Sequence, residues 1–316
     1  MKNFKYIYGP VPSRRIGNSL GISPIPEKTC NYSCVYCQLG RTDHLTNKRE
    51  EFFPLEEILS ELKEYNVFEH DIDVVTIVGE GEPTLYSRLG ELITGIKEIT
   101  KKPVAVITNG ALLYDAEVRK ELMNADMVLP SIDAYNEKIY KKIDRPYGKL
   151  NFETISKGLI DFSKEYKGQL YVEIMLVDGF NSSDEDIESF KEYLNKIDYD
   201  KLYINTCVRP PAESHIKPAS HDRIAYAVNK LDGISIDMLA SGSFYSGIEN
   251  TYDAVLSISS RHPLSKFELK SFLSSRDMSE KEVDSMIAEL RVDERVTAIN
   301  YGGIETFRAR KHKRGN

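Results

Sequence analysis

The feature that most constrains this chain is an alternation. Between residues 20 and about 232, six short β-branched, apolar runs each give way to an amphipathic stretch with helical spacing. Strands are predicted over 20–23, 72–78, 104–107, 127–130, 170–177 and 201–205. Helices are predicted over 54–65, where Pro54 suits the first turn, and over 88–100, 115–124, 151–166, 184–197 and 221–231. Ser182 and Glu185 have capping-box spacing at the start of the fifth. The strands are nearly continuous in apolar character, as expected of strands covered by helices on both faces. Consecutive strand–helix units call for right-handed crossovers and a parallel sheet. Six units rather than eight predict an α/β fold of the partial (β/α)6 TIM-like barrel type, with chemistry in the loops at the C-terminal strand ends.

The pattern changes after Gly233. Residues 241–250 (SGSFYSGIEN) are small and polar and read as a linker. Three short helical patterns follow, at 251–260, 266–273 and 280–290, the last with a capping-box match between Ser279 and Glu282. Two β-like runs, 296–301 and 304–308, are joined by Gly302 and Gly303, a hairpin signal. Three helices and a hairpin form the layout of a winged helix-turn-helix domain. The expected organisation is therefore a barrel domain over 1–240, a linker over 241–250, and a winged-helix-like domain over 251–316. Two domains also suit a length of 316 residues. Residues 250–316 hold 12 basic and 10 acidic side chains, with the basic ones concentrated in the tail RARKHKRGN, while the whole chain carries a net charge of −7. The C-terminal domain therefore has two expected roles. It can bind nucleic acid through its third helix, although Glu280, Glu282, Asp284 and Glu289 on that helix repel phosphate, or it can dock a peptide or close over the barrel.

Composition narrows the function classes. With 41% hydrophobic and 29% charged residues the chain can bury a core, which excludes wholesale disorder. No apolar run approaches the ~20 residues of a membrane span, and the opening MKNFKYIYGP lacks a signal-peptide stretch, so a cytoplasmic location without membrane attachment is expected. Of the four cysteines, Cys30, Cys34 and Cys37 lie within eight residues and Cys207 stands apart. In a reducing compartment such clustering points to metal or redox chemistry rather than disulfides. The spacing C-x3-C-x2-C can ligate three corners of a four-iron cluster and leave one iron open to a substrate or cofactor. A zinc site is the alternative, with His44 near enough in sequence to be the fourth ligand. Cys207 by itself reads as a small buried hydrophobe.

The segment CNYSCVYCQ, with Tyr36 before the last cysteine, resembles the signature of the radical S-adenosylmethionine (SAM) enzymes. That family carries a glycine-rich turn after the second strand, and here Gly79-Glu80-Gly81-Glu82-Pro83 follows IDVVTIV. Glycines let the backbone approach a ligand closely, and carbonyls or a carboxylate can accept from the SAM ammonium. The spacing leaves open whether Glu80 or Glu82 does so. The resemblance further implies SAM contacts from Asn109 at the third strand end, Ser131 and Asp133 at the fourth, and Asn181 at the fifth. Two segments, YGPVPSRR and NTCVRPPAE, are similar to an uncharacterised subgroup of Fe–S oxidoreductases grouped with the wyosine-base (tRNA imidazoguanosine) synthases. Those synthases use additional cysteines for a second cluster, and with only Cys207 left over their substrate is not carried across. Arg14, Arg15 and Arg209 have the planar fork that holds a carboxylate or phosphate, and Arg209, at a strand end, is counted with Tyr36 and the glycine turn among the expected cofactor-binding residues.

The resemblance implies a [4Fe-4S] cluster and S-adenosyl-L-methionine as cofactors. It implies a one-electron donor of flavodoxin or ferredoxin type, and reductive cleavage of SAM to a 5′-deoxyadenosyl radical that abstracts hydrogen from a substrate. RNA or a nucleobase, and a peptide or small metabolite, are the substrate classes in view. A metal- or redox-sensing DNA-binding regulator without turnover is the alternative from a different class.

Overall fold

A computed structural model of the chain describes residues 4–236, 246, 248–301 and 304–310. A hairpin opens it, β1 (Ile7–Ser13) and β2 (Gly17–Ile22), followed by two short strands, β3 (Thr29–Cys30) and β4 (His44–Leu45). Then come α1 (Leu55–Tyr65), β5 (Val74–Ile77), α2 (Leu89–Thr100), β6 (Val104–Thr108), α3 (Ala116–Leu122), β7 (Met127–Pro130), α4 (Glu137–Ile143) and α5 (Phe152–Glu165). They continue with β8 (Gln169–Leu176), α6 (Asp184–Leu194), β9 (Lys201–Thr206), α7 (His221–Leu231) and β10 (Ile234–Ser235). The C-terminal part holds α8 (Thr251–Arg261), β11 (Leu264–Ser265), α9 (Lys266–Ser274), α10 (Glu280–Val292), β12 (Val296–Tyr301) and β13 (Ile304–Ala309).

One eight-stranded sheet runs β1-β2-β5-β6-β7-β8-β9-β10. Its six central members are the six expected strands, all parallel. β1 joins one edge antiparallel and β10 the other edge parallel, and neither was expected from the sequence. The apolar runs behave as strands covered on both faces do: all four residues of β5 are buried. The helices bury one stripe each; α1 presents Leu55, Ile58, Leu62 and Tyr65, at i, i+3 and i+4 spacing, to the core. Gly21 of β2 lets Tyr8 of β1 lie across it, since a Cβ there would come within 2.3 Å of the Tyr8 ring.

Several boundaries differ from expectation. The capping box of α6 is Ser183 with Asp186, not Ser182 with Glu185, because the Ser-Ser-acidic run fits two registers. Pro54 is the N-cap of α1 rather than its first residue. α4, capped by the Asn136 side chain, is an additional helix.

In the C-terminal part, α8, α9 and α10 pack with β13 around a second apolar core that includes Val255, Phe272, Ile287 and Phe307. The Ser279–Glu282 capping box forms as expected, and a second joins Ser265 to Glu268. β12 and β13 pair as an antiparallel hairpin with β11 beside them. The expected turn at Gly302–Gly303, most of the expected linker and the tail beyond Arg310 lie outside the described residues. Val11 of β1 packs against this second core. Among the described residues no helix is long and apolar enough to cross a membrane.

Candidate active site at the cysteine loop

The three clustered cysteines sit on a loop that the main chain fixes at both ends. Cys30 ends β3, which pairs with β4 and so ties the loop's start to residues 44–45. Val35 N donates to the Ile143 carbonyl at 2.9 Å and Ser33 N to the Asp144 carbonyl at 2.9 Å, joining the loop to the end of α4. Tyr32 and Val35 are buried, whereas Cys30, Cys34 and Cys37 are half-buried. The apolar side chains anchor the loop and the thiols are presented from it. Glu213 adds a side-chain brace, taking two hydrogen bonds from Arg41 (2.8 and 2.9 Å) and pairing with Arg145, so its carboxyl is held down at about 2.

The glycine-rich turn lies directly against this loop. Glu82 N donates to the Thr29 carbonyl at 3.0 Å, and Lys28 N donates to the Glu80 carbonyl. A Cβ on Gly81 would meet the Thr29 carbonyl oxygen at 1.8 Å, so only glycine allows the approach. Glu82 and Glu80, equivalent in the sequence, are separated here. Glu82 is buried and engaged: its carboxylate accepts from Thr84 N (2.9 Å), Thr84 Oγ1 (2.5 Å), Thr108 Oγ1 (2.6 Å) and Asn109 N (2.7 Å). Burial raises its pKa, and those donors oppose the rise. Glu80, buried as well, lines the large cavity next to the loop.

That cavity, about 430 Å³, falls within the size range of small-molecule sites. Of the residues singled out in the sequence, Arg14, Arg15, Tyr36, Cys37, Gly79, Glu80, Gly81, Ser131 and Arg209 line it. Glu82, Asn109, Asp133 and Asn181 do not; they brace it. Asn109 Nδ2 donates to Asn31 Oδ1 at 2.7 Å and points at Cys30 Sγ at 3.6 Å. Asp133 accepts from the Tyr36 hydroxyl and from Met175 N (2.8 Å), while burial pushes its carboxyl up. Asn181 is fully buried, bonding Val177 N, the Asp133 carbonyl and the Met175 carbonyl at 2.8–3.0 Å. Cys207 is buried as expected, yet it also lines the cavity, 3.4 Å from the Tyr301 hydroxyl.

Sequence reasoning missed several contributors. Asp144 accepts from the Cys34 thiol at 3.6 Å. Glu173 lines the cavity and pairs with Arg15. His262 and Glu268 reach the cavity from the C-terminal part. Arg308 of β13 donates to the Gln38 carbonyl and, at 3.0 Å, to the Pro210 carbonyl. Only Glu173, polar in the middle of an apolar strand, carried a signal of its own.

The donor set suits an iron–sulfur cluster. Burial raises the pKa of all three thiols, and a bound metal's positive charge would oppose that rise. Tyr32 N (3.3 Å) and Asn109 Nδ2 direct N–H groups at Cys30 Sγ, and Lys28 and Arg308 place positive charge near Cys37. Among the described residues no three His, Cys, Asp or Glu side chains converge tightly enough for a single metal ion. His44, the zinc-ligand alternative, is exposed on β4. Thiols that hold the corners of a cube stand further apart than the ligands of one ion.

A sequence profile of the Radical SAM superfamily matches residues 25–194. A UPF0026 protein of Methanocaldococcus jannaschii is 36% identical over 290 residues, 89% of this chain and 90% of that one. A protein named GTPase Obg from Brachyspira hyodysenteriae is 41% identical over 223 residues, 71% of this chain; the chain spans only a third (33%) of that protein's length. A radical SAM methyltransferase from Sphaerobacter thermophilus superposes with a TM-score of 0.53 over 70% of this chain and 68% of that one; at 14% identity the likeness concerns the fold. The matched residues include the cysteine loop and the glycine-rich turn and make up more than half of the chain, so the chain belongs to the radical SAM superfamily, whose enzymes use a [4Fe-4S] cluster and S-adenosylmethionine.

Proposed function

We propose that this enzyme is a radical SAM oxidoreductase that takes a hydrogen atom from a substrate held in the cavity beside the cysteine loop. One observation carries the reading: Cys37, the turn Gly79–Glu80–Gly81 and a cluster of arginines line the same cavity. Bound there, the reduced cluster would supply one electron to the sulfonium of SAM, and cleavage of the C5′–S bond would give methionine and a 5′-deoxyadenosyl radical.

The protein's own part is to bind, orient and exclude water. Cys30, Cys34 and Cys37 hold the cluster and leave one iron for SAM. The open edge of the glycine turn and the Glu80 carboxylate offer acceptors to the SAM ammonium, while Glu82 keeps the turn in shape. Ser131 and Tyr36, the latter steadied by Asp133, border the SAM region. Asn109 and Asn181 act behind them, one on the cysteine loop and one on the β8 end.

Tyr8 from β1 and Arg209 from beyond β9 face one cavity, which supports a sheet curved into a partial (β/α)6 barrel over 1–240. Residues 251–316 form a winged-helix-like domain that serves as a wall of that cavity rather than as a nucleic-acid reader. The contacts of Arg209 with His262 and Pro263, and of Arg308 with the cysteine loop, support that role. Acidic Glu280 and Glu282 in the first turn of α10 also disfavour docking on phosphate. The donor of the electron is of flavodoxin or ferredoxin type, and the compartment is a reducing one, the cytoplasm. No relation to wyosine synthesis is needed.

The test is anaerobic reconstitution followed by iron and sulfide analysis and electron paramagnetic resonance of the reduced protein. We expect a cluster whose spectrum changes on adding SAM. A colourless protein that takes up one zinc instead would overturn the proposal.

A further inference from the structure

The cavity lining has a second part, its arginine end, chemically unlike the part at the cysteine loop. Arg14 and Arg15 reach it from the turn between β1 and β2, Arg209 from the segment after β9, and His262 and Glu268 from the C-terminal part. Only the fold brings these three stretches together. Arg209 is held in one orientation: Nε donates to the Pro263 carbonyl at 3.0 Å, and Nη2 contacts His262 Nε2 at 2.5 Å and Glu268 Oε1 at 3.3 Å. Arg15 is held by Glu173, whose Oε1 accepts from Asn205 Nδ2 at 2.8 Å. A guanidinium has five N–H donors. Those of Nη1 in Arg209, and of Nε and Nη2 in Arg15, make no hydrogen bond among the described residues, so both forks are fixed and still have donors to give.

Charge at this end favours an anion. Three guanidiniums and two carboxylates, Glu173 and Glu268, line it. Burial first, and then the charges of Arg14 and Arg15, pull Arg209 below the ordinary guanidinium value, with Glu268 opposing. Burial, then Arg209, holds His262 neutral, at about 4, so its Nε2 accepts from Arg209. Like charges gathered out of water repel, and a bound oxyanion relieves that repulsion.

We infer that this end is the recognition site for a carboxylate or phosphate group of a small-molecule substrate, with Arg209 and Arg15 as the forked donors. Planar guanidinium forks match both oxyanions in shape. His262 and Glu268 are positioning residues: they orient Arg209, which gives the C-terminal domain a part in choosing the substrate. The inference rests on the proposed role of the cavity and adds the chemical class of its occupant.

The test uses the full chain, both cluster-free and anaerobically reconstituted, with inorganic phosphate and succinate as probes in isothermal titration at fixed ionic strength. At least one probe should bind saturably with one site per chain. Binding of phosphate alone assigns a phosphorylated substrate, and binding of succinate alone a carboxylic acid. Arg209→Gln and Arg15→Gln should each weaken binding about tenfold or more, the loss of a charge-assisted pair. Arg209→Lys keeps the charge but not the fork and should also weaken it, which answers the objection that a variant has merely misfolded. Glu268→Gln should weaken binding less, with Glu268→Asp recovering part of the loss. Lys157→Gln, on an exposed i,i+4 pair of α5, should change nothing. The inference is overturned if neither probe binds saturably, or if both arginine variants bind as the parent does. SAM cleavage without probe binding would sink this site alone; probe binding without SAM cleavage would sink the radical chemistry and leave the site standing.

Discussion

The two ends of the cavity are built in opposite ways. At the cysteine end, residues 28–40 and 79–82 meet through main-chain hydrogen bonds such as Glu82 N to the Thr29 carbonyl, and glycine is what permits the contact. At the arginine end, side chains from residues 14–15, 173, 205–209 and 262–268 meet through ion pairs and one imidazole. A site made from backbone is fixed by a short local motif, and a change of side chain beside it does little unless it adds bulk. A site made from side chains of distant segments depends on each partner and has no local signature. The end we assign to the cofactors, which would serve the chemistry common to a superfamily, is of the first kind. The end we assign to the substrate is of the second, which lets it vary while the motif stays.

The contrast can be broken or sharpened experimentally, and the largest effect belongs to the thiols. Cys30→Ala, Cys34→Ala and Cys37→Ala should each lose the cluster entirely after reconstitution, read as iron per chain. Cys207→Ala, which packs with Val35 of the same loop but lies outside the cluster of three thiols, should keep it. Gly81→Ala should come next. Its Cβ must displace the Thr29 carbonyl, so a loss of about 1–3 kcal/mol in chemical denaturation is expected, together with slower cluster uptake. If Gly81→Ala folds and loads iron as the parent does, the cysteine end is not built by close backbone approach.

Smaller effects test single bonds. Tyr36→Phe removes the hydroxyl that donates to Asp133 and should cost about 1 kcal/mol in the same assay. It should also weaken SAM binding to the reconstituted protein, since Tyr36 lines the cavity. At the arginine end the sign of a pH effect is fixed by His262. Its pKa falls from the ordinary 6.5 to about 4 in the fold, so between those values the unfolded chain takes up a proton that the native chain refuses. Stability should therefore fall as pH drops from 6.5 towards 4. His262→Gln should show a shallower fall over that window, with thermal unfolding as the measure. Equal slopes in parent and variant would show that His262 is not held neutral by its neighbours.

Much of the fold could be read in the sequence because burial on two faces leaves a plain mark: an apolar run, then an amphipathic one. β1 escaped notice since IYGPVPS contains two prolines and a glycine, residues that argue against a strand in the middle of a sheet. As an edge strand with an irregularity between Tyr8 and Val11, it tolerates them. α4 has only seven residues, too few for periodicity to stand out. In the site, the cysteines and the glycine turn were legible because their spacing is their function. Glu80 and Glu82 could not be told apart, since what separates them is Thr108 and Asn109 on the next strand, which hold one and not the other. Asn181 was legible as a strand-end residue, but not as a buried brace. Arg209 stands out by its place at a strand end, whereas its partners His262 and Glu268 belong to the C-terminal part and have nothing in their own sequence surroundings to mark them.

The central claim is that the cysteine loop and the glycine turn together serve SAM-dependent radical chemistry. The most direct measurement is the formation of 5′-deoxyadenosine and methionine by the anaerobically reconstituted full chain under strong reduction. Both products should form in equal amounts from the parent chain and neither from Cys34→Ala. A parent chain that carries a reduced [4Fe-4S] cluster, binds SAM and yet releases no 5′-deoxyadenosine would contradict it.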